Sequence, residues 1–181
     1  MVRPPPLPLT AWSPERGRIV LGIAAGIAYT LGILWLGAFV VAAGPVTGDA
    51  RLAFALPWLM VPGLAVLFGV ARVGNARFVG RAPMDGSPPA PGTPEDIDRR
   101  YLRNTTEQAV VFLPAFLTLA VLVPDEHLGL VPVLAVSFAV ARLAFWAGYQ
   151  RHPLDRAFGM AATIFPSLAA YAWAAWLWAT P

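Results

Sequence analysis

Apolar residues fall in long, nearly unbroken runs along this chain, and polar residues collect between them. Five runs, residues 19–43, 52–73, 107–123, 128–149 and 158–179, approach the roughly 20 residues a helix needs to cross about 30 Å of hydrocarbon. The pattern predicts an all-α integral membrane bundle of five spans. The third run is short and holds Pro114, so its helix is expected to continue outward through Asn104. Pro57, Pro62, Pro132 and Pro166 also lie inside runs, which lipid-embedded helices tolerate because neighbours re-satisfy the freed carbonyls. The first run exceeds the roughly 7 to 15 apolar residues of a cleaved signal. A retained anchor is therefore expected, rather than a peptide cut after "VVAAG".

The segments between the runs are unequal. "GPVTGDAR" (44–51), "PDEH" (124–127) and "QRHPLDRA" (150–157) read as tight turns, whereas 74–103 is a long polar segment. Its proline and glycine density argues against regular structure between 82 and 94. Glu95, Asp96 and Asp98 suit the first turn of a helix that begins near Thr93 or Pro94.

Composition agrees: the chain is 57% hydrophobic and 13% charged, about half the charge of a soluble domain. The absence of cysteine removes disulfides, thiolate metal sites and a cysteine nucleophile. With His127 and His152 the only histidines, a multi-histidine metal site is excluded too, and no metal is expected. All 13 basic residues are arginine. With five spans, Arg3, Arg16, Arg18, Arg77, Arg81, Arg99, Arg100, Arg103, Arg151 and Arg156 share one side, Arg51 lies on the other, and Arg72 and Arg142 lie within helices. This asymmetry follows the positive-inside rule and explains the net charge of +3 better than nucleic-acid binding does. It predicts a multi-pass protein of a bacterial cell membrane, N-terminus cytoplasmic and C-terminus outside. Trp12, Trp176 and Trp178 are placed for interfacial belts.

Ionisable residues inside spans mark function or a structural pair, and here they are Arg72, Glu107 and Arg142, all near the arginine-rich ends of their helices. Arg100, Asn104 and Glu107 are spaced i, i+4, i+7 and form one polar stripe, with Arg103 on its flank. The stripe fits a helix-end ion-pair ladder or a ligand site. Arg142 and Tyr149 share another face, with Phe145 between them, and Arg156 follows at the start of the last helix. Snorkelling arginines beside an interfacial tyrosine would give the same pattern. Both blocks lie at the same membrane face, where arginines converging with Asn and Tyr donors would make an anion site suited to carboxylates. His127, Asp125 and Glu126 read as solvated loop residues, as does His152.

"RxxRNxxE" opening one helix, followed by "ARLxFxxGYxRxxxxRA" on the next, resembles the MAPEG family, the membrane-associated proteins in eicosanoid and glutathione metabolism. The second block is most similar to the leukotriene-C synthase and microsomal glutathione transferase branches. The first also resembles microsomal prostaglandin E synthase. The resemblance covers roughly residues 55–180 and implies a four-helix membrane domain, 51–181, with a cytoplasmic loop at 74–103. Residues 1–50 would carry a cytoplasmic tail and one additional N-terminal transmembrane helix.

The resemblance further implies a homotrimer with glutathione, or another low-molecular-weight thiol, held as cosubstrate between protomers. Arg100, Arg103, Asn104 and Glu107 would bind it, Glu107 facing its ammonium group. Arg142 and Tyr149 would complete the pocket. Arg156 would be the catalytic residue, stabilising the thiolate by its charge. Arg72 would stand in for an arginine of the family's first helix. Two phenols of leukotriene-C synthase are replaced here, by Gln108 and Phe145. The implied activity is a transferase or peroxidase acting on lipophilic electrophiles that arrive through the lipid bilayer. The alternative is a non-catalytic scaffold or lipid-binding relative on the same fold. A small-solute transporter fits less well, since no span carries an ionisable residue at its midpoint.

Overall fold

A computed structural model describes residues 13–44, 46, 48 and 50–180, so the expectation for Trp12 lies outside the described residues. Its helices are α1 (Pro14–Trp35), α2 (Ala50–Ala55), α3 (Met60–Phe78), α4 (Pro94–Leu122), α5 (Leu130–Arg151) and α6 (Arg156–Ala179). α1 ends in a π-helical turn, and a short 3-10 segment joins α2 to α3. Five helical spans result among the described residues, each long and apolar enough to cross a membrane.

The local chemistry explains the boundaries. Ser13 caps α1 by accepting the Arg16 N–H at 3.3 Å, and Pro14 takes the first helical position, where no intrahelical donor is needed. Thr93 caps α4, accepting the Asp96 N–H at 3.3 Å, with Pro94 again at the first position. Pro57 lies in the 3-10 segment, since proline denies the α-helical ladder one donor. Pro114 and Pro166 do not break α4 or α6. Near the latter, Thr163 and Ser167 hydroxyls donate to the carbonyls of Gly159 and Thr163 at 2.7 and 2.9 Å, bonding inside the helix rather than to lipid. α4 has 29 residues and is therefore about 43 Å long at 1.5 Å per residue. It begins in the polar segment and runs the depth of the bundle.

α4, α5 and α6 form the centre, around Phe112, Phe116, Leu119, Leu134 and Phe138, each at most 2% exposed. α3 packs on α4 and α5, and α1 packs along α6. The approach of α1 is close because Gly22 and Gly26 face Ala157 and Ala161 of α6, where a Cβ on either glycine would collide. Large apolar side chains cover much of the outer surface, among them Leu21, Leu31, Phe39, Met60 and Leu64, as a lipid-facing surface requires. Trp176 and Trp178 are exposed at the end of α6.

The end of the bundle remote from Arg100 differs from the expectation of solvated charges. Arg51 donates to the Val121 carbonyl at 2.9 Å and pairs with Asp125, closing the C-terminus of α4. His127 Nδ1 lies 2.9 Å from the Ala38 carbonyl, and its ring packs against Phe39 and Trp173. Burial among rings and a free helix-end carbonyl holds this histidine, whereas Glu126 remains exposed.

Candidate functional site

The polar stripe of α4 faces the start of α6 across the end of α5. A cavity of about 240 Å³ opens there, lined by Arg100, Arg103, Asn104 and Glu107 of α4, Phe145 and Tyr149 of α5, and Arg156 and Met160 of α6. Gly159 permits this meeting, because any side chain there would strike the backbone of Phe145. Six of the seven site residues expected from the sequence therefore border one cavity, and Arg142 does not.

Tyr149 is the hub. It is 5% exposed, its hydroxyl accepts from Arg100 Nη1 at 3.4 Å, and the Arg156 guanidinium lies 4.6 Å from its ring centroid. Arg100 is also held by Asp96, with Nε and Nη2 each 2.9 Å from Oδ2. Asp96 in turn accepts the Gly92 N–H at 3.1 Å, which ties the preceding loop to the first turn of α4. Arg156 has no carboxylate partner among the described residues. Glu107 and Arg103 face each other at 3.8 Å with both side chains largely exposed, so the pair leaves both groups open to a ligand.

Arg142 reaches the cavity through Asn104. It is fully buried, donating from Nε to Thr105 Oγ1 at 3.1 Å and from Nη2 to Asn104 Oδ1 at 2.9 Å. Its guanidinium lies 4.1 Å from the Phe145 ring centroid, and Nη1 has no partner among the described residues. With Oδ1 of Asn104 taken by Arg142, its N–H groups are the donors the amide has left for the cavity that it lines. Phe145 stacks between this buried cation and the cavity. Gln108 is buried with its Oε1 unpartnered and does not line the cavity.

Arg72 does not snorkel as a lone charge. Its Nε and Nη2 donate to Asp98 Oδ2 at 3.1 and 3.0 Å, and its guanidinium lies over the Trp146 ring. Asp98 is 2% exposed and also accepts from Trp146 Nε1 at 2.7 Å and Gln150 Nε2 at 3.0 Å. This carboxylate joins α3, α4 and α5 directly behind the site. The sequence marks Asp98 as an acid of the first helical turn, and the structure makes it a structural centre. Its signal was spacing: Asp98, Tyr101, Thr105, Gln108 and Phe112 follow one helical stripe, and all are buried. Met160, one turn beyond Arg156 on the same face, also lines the cavity, and as an apolar residue in an apolar run it carries no separate signal in the sequence.

The polar lining is three arginines, one amide, one phenol and one carboxylate, which fits a zwitterion that carries carboxylates and a single ammonium group. Transmembrane protein 79 of Mus musculus is 28% identical over 78 residues, 43% of this chain and 20% of that relative. The chain thus spans about a fifth of the relative's length. No solved structure matches the chain. The pattern of the MAPEG family matches residues 52–176, a stretch that contains every side chain of the cavity and excludes α1. Matched over most of its length, onto helices that span a membrane, the chain belongs to the MAPEG family and is an integral membrane protein.

Proposed function

We propose that this protein is a thiol-dependent transferase or peroxidase, with glutathione or a similar small thiol as cosubstrate and a lipophilic electrophile as its partner in the reaction. One observation carries the reading: side chains from three helices converge on one cavity, and among them Arg156 has a cation unclaimed by any carboxylate of the described residues. Arg100, Arg103 and the Asn104 amide suit the carboxylates of a tripeptide, and Glu107 suits its ammonium group. Arg156 would favour the thiolate over the thiol, lowering the thiol pKa at the point of attack. A halogenated aromatic would then accept the sulfur: the C–S bond forms, halide departs with its electron pair, and the thiol proton passes to water. The arginine-rich end of the bundle is proposed to face the cytoplasm.

A homotrimer belongs to this proposal. The cavity of about 240 Å³ is smaller than the roughly 300 to 1,000 Å³ of complete small-molecule sites, which supports a second wall from a neighbouring protomer. A stable monomer by native mass in mild detergent would remove that wall. The non-catalytic reading draws on Phe145 and Gln108, which offer no hydroxyl to a ligand.

The test is glutathione conjugation of a chlorinated dinitrobenzene by purified protein. Arg156→Ala is expected to lower turnover about 10- to 1,000-fold, the scale of losing one electrostatic stabiliser. A wild-type protein that binds no thiol would sink the enzymatic reading.

A further inference from the structure

One acid behind the polar cavity does more than suit the first turn of α4. Asp96 does not line the cavity, yet it is 2% exposed and three donors converge on its Oδ2. They are Nε and Nη2 of Arg100, each at 2.9 Å, and the Gly92 N–H at 3.1 Å. Gly92 reaches it with a φ of 80°, a region that suits glycine. Oδ1 faces only Arg99, at 4.0 Å. The other rim arginines are held less firmly: Arg103 meets Glu107 at 3.8 Å with both side chains largely exposed, and Arg156 lies over the Tyr149 ring.

The planar guanidinium makes this anchorage directional. With the Nε and Nη2 edge of Arg100 on Asp96, Nη1 is the nitrogen left for Tyr149, whose hydroxyl accepts from it at 3.4 Å. That hydroxyl has no other hydrogen-bond partner among the described residues. Since it accepts from Arg100, its proton is left for the cavity that Tyr149 lines. The chain Gly92, Asp96, Arg100, Tyr149 therefore runs from the loop before α4 to the cavity wall, each bond polarising the next.

We infer that Asp96 is a positioning residue for this site: it fixes Arg100 so that the Tyr149 O–H is aimed as a donor at a ligand carboxylate. The inference rests on the reading of the cavity as a site for a small thiol that carries carboxylates. An arginine held before the ligand arrives spares binding the ordering of a long side chain. The charge of Asp96 acts the other way, because an acid near the cavity repels an anion. Position and charge thus give opposite signs when Asp96 is neutralised.

Glutathione affinity of the full-length protein in nanodiscs would be measured by calorimetry. Asp96→Asn keeps an acceptor for the Gly92 N–H and should weaken binding about three- to tenfold, although loss of the charge alone would strengthen it. In a Tyr149→Phe background the same substitution should change affinity by less than about twofold, because the hydroxyl through which it acts is gone. Asp96→Glu, whose carboxylate still reaches Arg100 one turn on, should bind within about twofold of wild type. A ligand-free arm reads the arginine itself: phenylglyoxal modification of Arg100, followed by peptide mass spectrometry, should run about three- to tenfold faster in Asp96→Asn.

Affinity equal to or above wild type in Asp96→Asn would overturn the inference. So would an equal effect of that substitution with and without the Tyr149 hydroxyl, an Asp96→Glu protein as weak as Asp96→Asn, or an unchanged rate of Arg100 modification. Wild type that binds no glutathione would strike the thiol reading instead, and the modification rate would still decide whether Asp96 holds Arg100.

Discussion

Asp98→Ala is the substitution whose cost can be worked most directly from the geometry. The carboxylate is 2% exposed and receives two bonds from Arg72, one from Trp146 and one from Gln150, all between 2.7 and 3.1 Å. Removing one partner of a buried ion pair typically costs about 3 to 5 kcal/mol, because the other charge is left uncompensated. Arg72 is 36% exposed at its side chain, so water recovers part of that charge and the lower end, about 3 kcal/mol, is expected. Asp98→Asn keeps one acceptor oxygen and should cost about 1.5 to 3 kcal/mol. Arg72→Met with Asp98→Leu removes both charges and should recover about 1 kcal/mol of the loss, because the stranded Trp146 and Gln150 donors still cost about 1 kcal/mol each. The assay is reversible unfolding in mixed micelles of increasing SDS content, arranged as a double-mutant cycle. If Asp98→Ala costs under about 1 kcal/mol, or if the cycle is additive within about 0.5 kcal/mol, this carboxylate does not hold α3, α4 and α5 together.

Two further outcomes follow from side chains at the ends of the same argument. Glu107→Gln should weaken glutathione binding by calorimetry about tenfold while leaving unfolding unchanged, since the exposed pair with Arg103 adds little to stability; equal affinity would exclude Glu107 as the acid facing the ammonium group. Gly26→Val should push α1 off α6, because even a Cβ there meets Ala161, at a cost of about 1 to 3 kcal/mol. Thermal unfolding in detergent checks this, and an unchanged midpoint would mean the two helices are not in close register.

Periodicity carried most of the fold. Apolar runs set the spans, and Thr93-Pro94 marked the start of α4 because capping is decided by adjacent residues. Stripes were legible too: Arg100, Asn104 and Glu107 share a cavity as their spacing implied. What spacing could not reveal was which neighbour each stripe meets. Arg142 and Tyr149 lie seven residues apart on α5, yet Tyr149 borders the cavity while Arg142 turns toward Thr105 and Asn104. A residue's partners depend on the rotation of two helices about their own axes, which no single helix encodes. Asp98 and His127 illustrate the same point: a polar residue beside a turn looks solvated until a neighbouring element closes over it.

The arrangement around Arg142 bears on how the site could prefer anions at the edge of a membrane. The residue is fully buried without a carboxylate partner among the described residues, held by a hydroxyl, an amide and the faces of Phe145 and Tyr101. A carboxylate in that place would cancel the charge, whereas rings and neutral dipoles let its field extend past Asn104 into the cavity. Phe145 is then more than a missing phenol. Its ring lies against the guanidinium and also lines the cavity, so the buried charge would act on an anion there through Asn104 without direct contact. On the opposite side, Asp98 neutralises Arg72, so that arginine adds little to the field. The cavity thus draws its unpaired positive potential from Arg142 behind it and Arg156 at its rim, since Asp96 holds Arg100, and Glu107, the only acid among the described residues that lines it, faces Arg103.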